Sequence, residues 1–374
     1  PPPPPPPPPP FFFQADDGIR HCLLSRGLGD VYKRQPQRLG FEETELEKRG
    51  ARFEFGAPIT SAITTSNGVA ASFGDGTVRF FHPSHTHTVT QAHEGVVLCL
   101  TSAQDNILTG GDDGRFIQIS SNGTVTELAN FGTKWVDCVA ASNGLVACSS
   151  GPMVHLWSSG QSKPTILEHS STVGGLTFDP KGKRLAVAHY GGVTLWERGP
   201  RRWKSSKLVW KGFHGALTFS PDGKYLITAM QENALHGWRL RDKGDLAMTG
   251  YPNKIKSFTW VGDIPHLATS GAEEAICWPF DGKDGPMGRS PVCVANNGKN
   301  MVSCVQALPG ENAVFTGFKD GAVLLAELDE SKSAIPIKGS TGREVTAIGI
   351  TKSLSHLLIG DAKGQILWTP LVRR

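Results

Sequence analysis

The chain has no uninterrupted apolar run long enough to cross a membrane, so no membrane span is expected. Charged residues make up 19% of its 374 residues and aromatics 8%, both low for an interaction tail or a nucleic-acid-binding arm. The net charge of +4 is too mild to argue for nucleic acid as a partner. Seven cysteines are present, but none in a Cys-x-x-Cys spacing, which removes the usual signature of a structural zinc site or a redox motif. Also missing are Gly-x-Ser-x-Gly, His-Glu-x-x-His, a phosphate loop and a dinucleotide fingerprint, so no enzyme class is indicated. What abounds is glycine, 44 residues, as a fold with a tight turn every ten residues or so requires.

A unit of about forty residues recurs along the chain. Its clearest copy runs from His214 through Phe219-Ser-Pro-Asp-Gly-Lys224 to Trp238. Each unit reads as an apolar strand, a turn, a second strand, a short polar loop and a third strand ending in a bulky or apolar residue. The closing positions are Phe81, Ile119, Trp157, Trp196, Trp238, Trp278, Ala326 and Trp368, separated by 38, 38, 39, 42, 40, 48 and 42 residues on subtraction. In Ser-Pro-Asp-Gly, proline presets φ, Asp tolerates the next turn position and Gly takes the positive φ that ends it. Short loops such as Asp112-Asp-Gly114, Gly74-Asp-Gly76 and Lys319-Asp-Gly321 follow the second strands as hairpin turns.

These units resemble the WD40 repeat over about residues 52–370. The resemblance implies an all-β, WD40-like β-propeller. Eight copies of the first three strands predict eight four-stranded blades, with seven as the runner-up count. The last copy ends too close to the terminus to hold an outer strand. Arg52-Phe-Glu-Phe55 precedes the first blade, and in the family such an N-terminal strand completes the last blade and closes the ring. Residues 1–35, opening with ten prolines, read as translated sequencing-adapter read-through, a non-native or disordered segment. Residues 36–51 form a lead-in, and 52–374 a single propeller domain. The family's Trp-Asp pair is never complete, being replaced by Trp157-Ser158, Trp196-Glu197 and Trp238-Arg239. Its His–Ser/Thr–Asp network is best matched by His93, Thr109 and Asp112 or Asp113, with His214 in the Gly-His position of the fifth unit. Together with Trp157, Trp196, Trp238, Trp278 and Trp368, these residues are expected to order blades.

Three residue groups carry possible chemistry. Cys99, Cys138 and Cys304 occupy equivalent places in first strands and read as packing thiols. His82, His85 and His87 fall in an outer strand and the loop leading to it, with His85 and His87 alternating on one side, a weak candidate metal group on an edge that is otherwise expected to be solvated. Lys134, Lys254, Lys299 and Arg343 each precede a first strand, where the family's connections line one rim of the channel, and Trp135, Tyr251 and Phe318 lie near them as candidate aromatic anchors.

The reading is a cytoplasmic, non-enzymatic scaffold that binds one or more proteins, possibly through an acidic segment received on the basic rim. It needs no cofactor or small molecule, and nucleic acid is not an expected partner. A metal-associated or anion-binding propeller, and a propeller enzyme with a channel active site, are the alternatives.

Overall fold

The structure, a computed structural model, describes residues 43–84, 86–329 and 331–371. Apart from one short helix, the regular elements of these residues are strands. The second unit shows the pattern. Val97–Ala103, Asn106–Gly111, Arg115–Ile119 and Val125–Asn130 pair in sequence as an antiparallel meander. Val97 opposes Gly111, Ile107 opposes Ile119, and Ile119 opposes Val125. The middle strands are the most buried of the four, and the outer strand is largely exposed. Local chemistry sets the turns. In the fifth unit Gly223, at φ 70°, donates its N–H to Ser220 O at 2.8 Å, while Asp222 accepts from Ser220 Oγ and from Lys224 N. At Gly114 an added Cβ would lie 2.0 Å from Gly132 O, so only glycine lets the two connections approach.

The strands assemble into an all-β propeller of seven hydrogen-bonded sheets, six with four strands and one with six. Counted by sheet there are seven blades, not the eight expected. All eight units form strands, but units four and five share one sheet, ordered Gly175–Phe178, Arg184–Arg198, Trp203–Phe219, Tyr225–Met230, Leu235–Arg239, Gly244–Met248. The cause is local: Tyr190 pairs with Phe213, so the ladder of unit four runs on into the first strand of unit five. The ladder runs on past both joints although Gly191, Gly192 and Gly212 there stand at φ 88°, 129° and 95°, and the register slips at a bulge between Tyr190 and Gly192.

Before the first unit, helix Glu45–Arg49 begins with a capping box in which Thr44 and Glu47 satisfy each other's backbone N–H. Thr44 Oγ1 donates to Ile337 O at 2.6 Å, and buried Glu47 accepts from Gly339 N at 3.0 Å. The next strand, Ala51–Glu54, pairs antiparallel with Gln365–Pro370, from Ala51 opposite Trp368 to Glu54 opposite Gln365. Apolar side chains fill the seams between sheets. The innermost strands are stitched to their neighbours by side-chain hydrogen bonds to backbone carbonyls. Thr60 Oγ1 reaches Val97 O at 2.9 Å, Ser257 Oγ reaches Val305 O at 3.3 Å, Ser303 Oγ reaches Val345 O at 2.7 Å, and Thr64 Oγ1 reaches Ile350 O at 2.6 Å. Each such bond contributes about 1 kcal/mol net.

Candidate interaction surface

In a meander the first and third turns lie at one end of the sheet, while the second turn and the link to the next unit lie at the other. The links hold most of the residues singled out in the sequence, so those residues share one end of the propeller. Lys134, Lys254 and Lys299 are exposed there and make no ion pair among the described residues. Trp135 is 60% exposed beside Lys134. Its link is held rigidly: Phe131 N donates to Gly114 O at 2.8 Å and Val136 N to Gly111 O at 3.0 Å. Val136 itself is fully buried, so the loop is anchored immediately after the exposed indole.

The remaining proposed rim residues are placed differently. Arg343 Nη1 donates to Glu54 Oε1 at 3.4 Å, which spends its charge inside the chain. Tyr251 is only 5% exposed and is not a surface anchor. It stands where other units carry a histidine, its hydroxyl 2.8 Å from Thr269 Oγ1 and accepting from Trp278 Nε1 at 2.7 Å. Burial pushes its phenol well above the ordinary range. Phe318 is fully buried in the seam between units six and seven, because it ends a second strand whose side chains all face packed neighbours. Two features of this end were missed in the sequence. Tyr190 is 64% exposed at the joint that fuses units four and five, and Lys256 pairs with Glu344 at 3.3 Å. Neither had a repeat-equivalent partner that would have drawn notice.

Beneath the rim lie the ordering groups. His93 Nδ1 is 2.8 Å from Asp113 Oδ1, and its Nε2 is 2.8 Å from Thr109 Oγ1. Burial drives the imidazole below its ordinary range in spite of the carboxylate, so it stands neutral. An ionised carboxylate only accepts, which puts the proton on Nδ1 and leaves Nε2 to accept from Thr109. Asp113 is lowered because the bonds from His93, Glu94 N and Arg115 N outweigh its own desolvation. Asp112 serves separately, accepting from Val96 N at 2.8 Å. His214 Nδ1 lies 2.8 Å from Thr228 Oγ1, and its ring packs 5.6 Å from Trp238. Trp196 Nε1 donates to His169 Nε2 at 3.0 Å. Trp238, Trp278 and Trp368 are fully buried, whereas Trp157 is half-buried.

His82 and His87 do not share a solvated face. His87 packs against Phe53, Phe55 and Phe81 at centroid separations of 5.0, 5.3 and 5.6 Å, so it belongs to an aromatic cluster and not to a solvated edge. His82 Nδ1 faces Asn67 O at 3.3 Å, and His85 lies outside the described residues. Among the described residues no three His, Cys, Asp or Glu side chains gather as a metal group. Cys99 and Cys304 are free thiols on first strands, and Cys138 is a free thiol just before one, Val139–Ser142. Burial raises all three, Cys138 to about 12 and Cys304 to about 11, so they are protonated and unreactive at neutral pH. No helix among the described residues is long and apolar enough to cross a membrane.

No family model matches the chain. No curated protein matches it either. Solved structures do: 1805 chains match, so the fold alone selects no function. Among them is the crystal structure of the computationally designed Ika8 protein, similar at a TM-score of 0.68 and 17% identity, over 85% of this chain and 98% of that one. A likeness at that identity extends to the fold alone.

Proposed function

We propose that this chain is a non-enzymatic, WD40-type interaction scaffold that receives an acidic segment of a partner protein across the end bearing Lys134, Trp135, Lys254 and Lys299. The observation that carries the reading is Trp135, a large indole held 60% exposed on a tightly bonded link beside an unpaired lysine. Aromatic anchors flanked by cations are what acidic partners bind, the indole supplying affinity and the lysines orientation and association rate. The pairing of Ala51–Glu54 with Gln365–Pro370 supports a ring closed by its N-terminal strand, which would keep the presenting loops fixed. The free thiols of Cys99, Cys138, Cys148, Cys277 and Cys304 are compatible with a cytoplasmic binding role.

An affinity capture comparing the chain with a Lys134→Glu/Lys254→Glu/Lys299→Glu variant tests this. A protein recovered with the parent and reduced about tenfold or more with the variant is expected, as is a similar loss for Trp135→Ala. Equal recovery of the same partners by all three chains would reject the rim as the interface.

A further inference from the structure

The seam between units two and three opens, at the end of the propeller opposite the rim, into a cleft of about 440 Å3. Its floor includes the half-buried Trp157. Five side-chain amides surround it: Gln104, Asn106 and Gln118 from unit two, and Asn143 and Gln161 from unit three. Asn143 Nδ2 donates to Lys181 O at 3.1 Å, and the other four amides make no side-chain hydrogen bond among the described residues. The one charged side chain in the lining, Glu127, is already paired with Arg115 Nε at 2.7 Å. A second cleft, near 540 Å3 in volume, lies over units five and six and differs in kind. It is lined by five cations, four of them already matched by acids, as in Lys224 with Asp222 and Arg239 with Asp242.

We infer that the cleft between units two and three binds a neutral saccharide chain. A pyranose has an apolar C–H face and a rim of hydroxyls, each both donor and acceptor. A partly open indole supplies a flat partner for the face, and Asn and Gln side chains offer a donor and an acceptor to each hydroxyl. The volume falls within the range of small-molecule sites, about 300–1,000 Å3. With no free cation in the lining, a phosphate or an acidic peptide gains no charge partner there. The tryptophans closing units five, six and eight are fully buried, and Trp196 of unit four, partly open like Trp157, spends its indole N–H on His169, whereas the Trp157 indole makes no hydrogen bond among the described residues. Phe116 of unit two packs on the Trp157 ring at a centroid separation of 5.5 Å, but the residues bordering it at the cleft include Ala103 of unit two and Ala141 and Gly144 of its own unit, which are too small to cover the rest. The site stands apart from the rim and does not depend on it.

The test uses the full chain with maltotriose, cellotriose and chitotriose, followed by saturation-transfer NMR and titration calorimetry. An uncharged Ser/Gly/Asn peptide of similar length is the control. At least one trisaccharide should bind saturably, with magnetisation transferred to its C–H face. The Gln104→Leu/Gln118→Leu variant removes two amides without entering the core, and should weaken binding about tenfold at an unchanged melting temperature. Trp157→Ala should abolish it. Absence of saturable binding at about 10 mM of every trisaccharide, equal binding by the double-Leu variant, or binding of the peptide in place of the sugars would overturn the inference.

Discussion

The seams of this propeller differ in how completely they close. Among the described residues, the seam joining units five and six gathers fourteen buried apolar side chains, with Trp278 at its centre. The cluster at the seam joining units two and three gathers four, with Trp157 only packed against its edge. Both tryptophans end a third strand at the same repeat position. In the closed seam the indole N–H donates to Tyr251, and Leu246, Met248 and Ile255 fill the space around it. In the open seam Phe116 packs on one part of the indole at 5.5 Å, while the small Ala103, Ala141 and Gly144 border the rest, and the leftover volume is cleft. The repeat position therefore dictates where a tryptophan stands, while the residues across the seam decide whether it becomes core or surface.

Acid should produce the largest effect, and it should act on closed seams. His236 lies 1% exposed between Trp210 and Trp238, and burial, with repulsion from His214, lowers its pKa to about 3 in spite of Asp245. His214, His169 and His93 are lowered too, by burial first. Between that value and the ordinary imidazole value of 6.5 the unfolded chain binds protons that the folded chain does not, so stability rises with pH across this window and levels off above it. Denaturation midpoints measured from pH 4 to 8 should climb and then plateau, and His236→Gln should flatten the climb. A stability independent of pH below 6.5 would contradict the buried neutral histidines.

Truncating the two tryptophans sharpens the comparison directly. Trp278→Ala should cost about 3–5 kcal/mol, because it leaves a cavity and removes a donor from Tyr251. Trp157→Ala should cost about 1–2 kcal/mol, since part of the ring already faces water. Urea denaturation reads both, and equal losses would erase the distinction between open and closed seams. A smaller effect is expected from Thr269→Val, which deprives the Tyr251 hydroxyl of one of its two partners at a cost of about 1–2 kcal/mol. The equivalent Thr109→Val beside His93 should cost about the same, because it too leaves a buried ring with one unmet partner.

Much of this was legible in the chain itself, and the failures are instructive. Asp-Gly turns and apolar triplets marked the strands, and the resemblance to WD40 repeats suggested a network of His93, Thr109 and Asp112 or Asp113, of which Thr109 and Asp113 stand within hydrogen-bonding distance of His93. Tyr251 and Phe318 were misread as surface anchors because an aromatic near a turn looks the same in sequence whether it points to water or into a seam. Tyr251 had a usable signal, since it sits where His93 and His214 stand in their own units. The blade count missed because the Tyr190–Phe213 pairing carries the ladder past Gly191, Gly192 and Gly212, and glycines at positive φ mark a bend without specifying whether the pairing stops there. The cleft between units two and three had no local signal at all.

The sequence by itself determined the all-β class, the forty-residue unit, the turn chemistry and the basic residues in the links, because each depends on neighbours within a few positions along the chain. Tertiary structure alone decided that units four and five share a sheet, that Arg343 is neutralised by Glu54, that Tyr251 is core, and that Trp157 is left half-open. Those outcomes depend on which side chains from distant units meet across a seam. Side-chain volume and hydrogen-bond satisfaction at such a meeting are properties of pairs, and one strand's pattern of apolar and polar residues does not encode its partner.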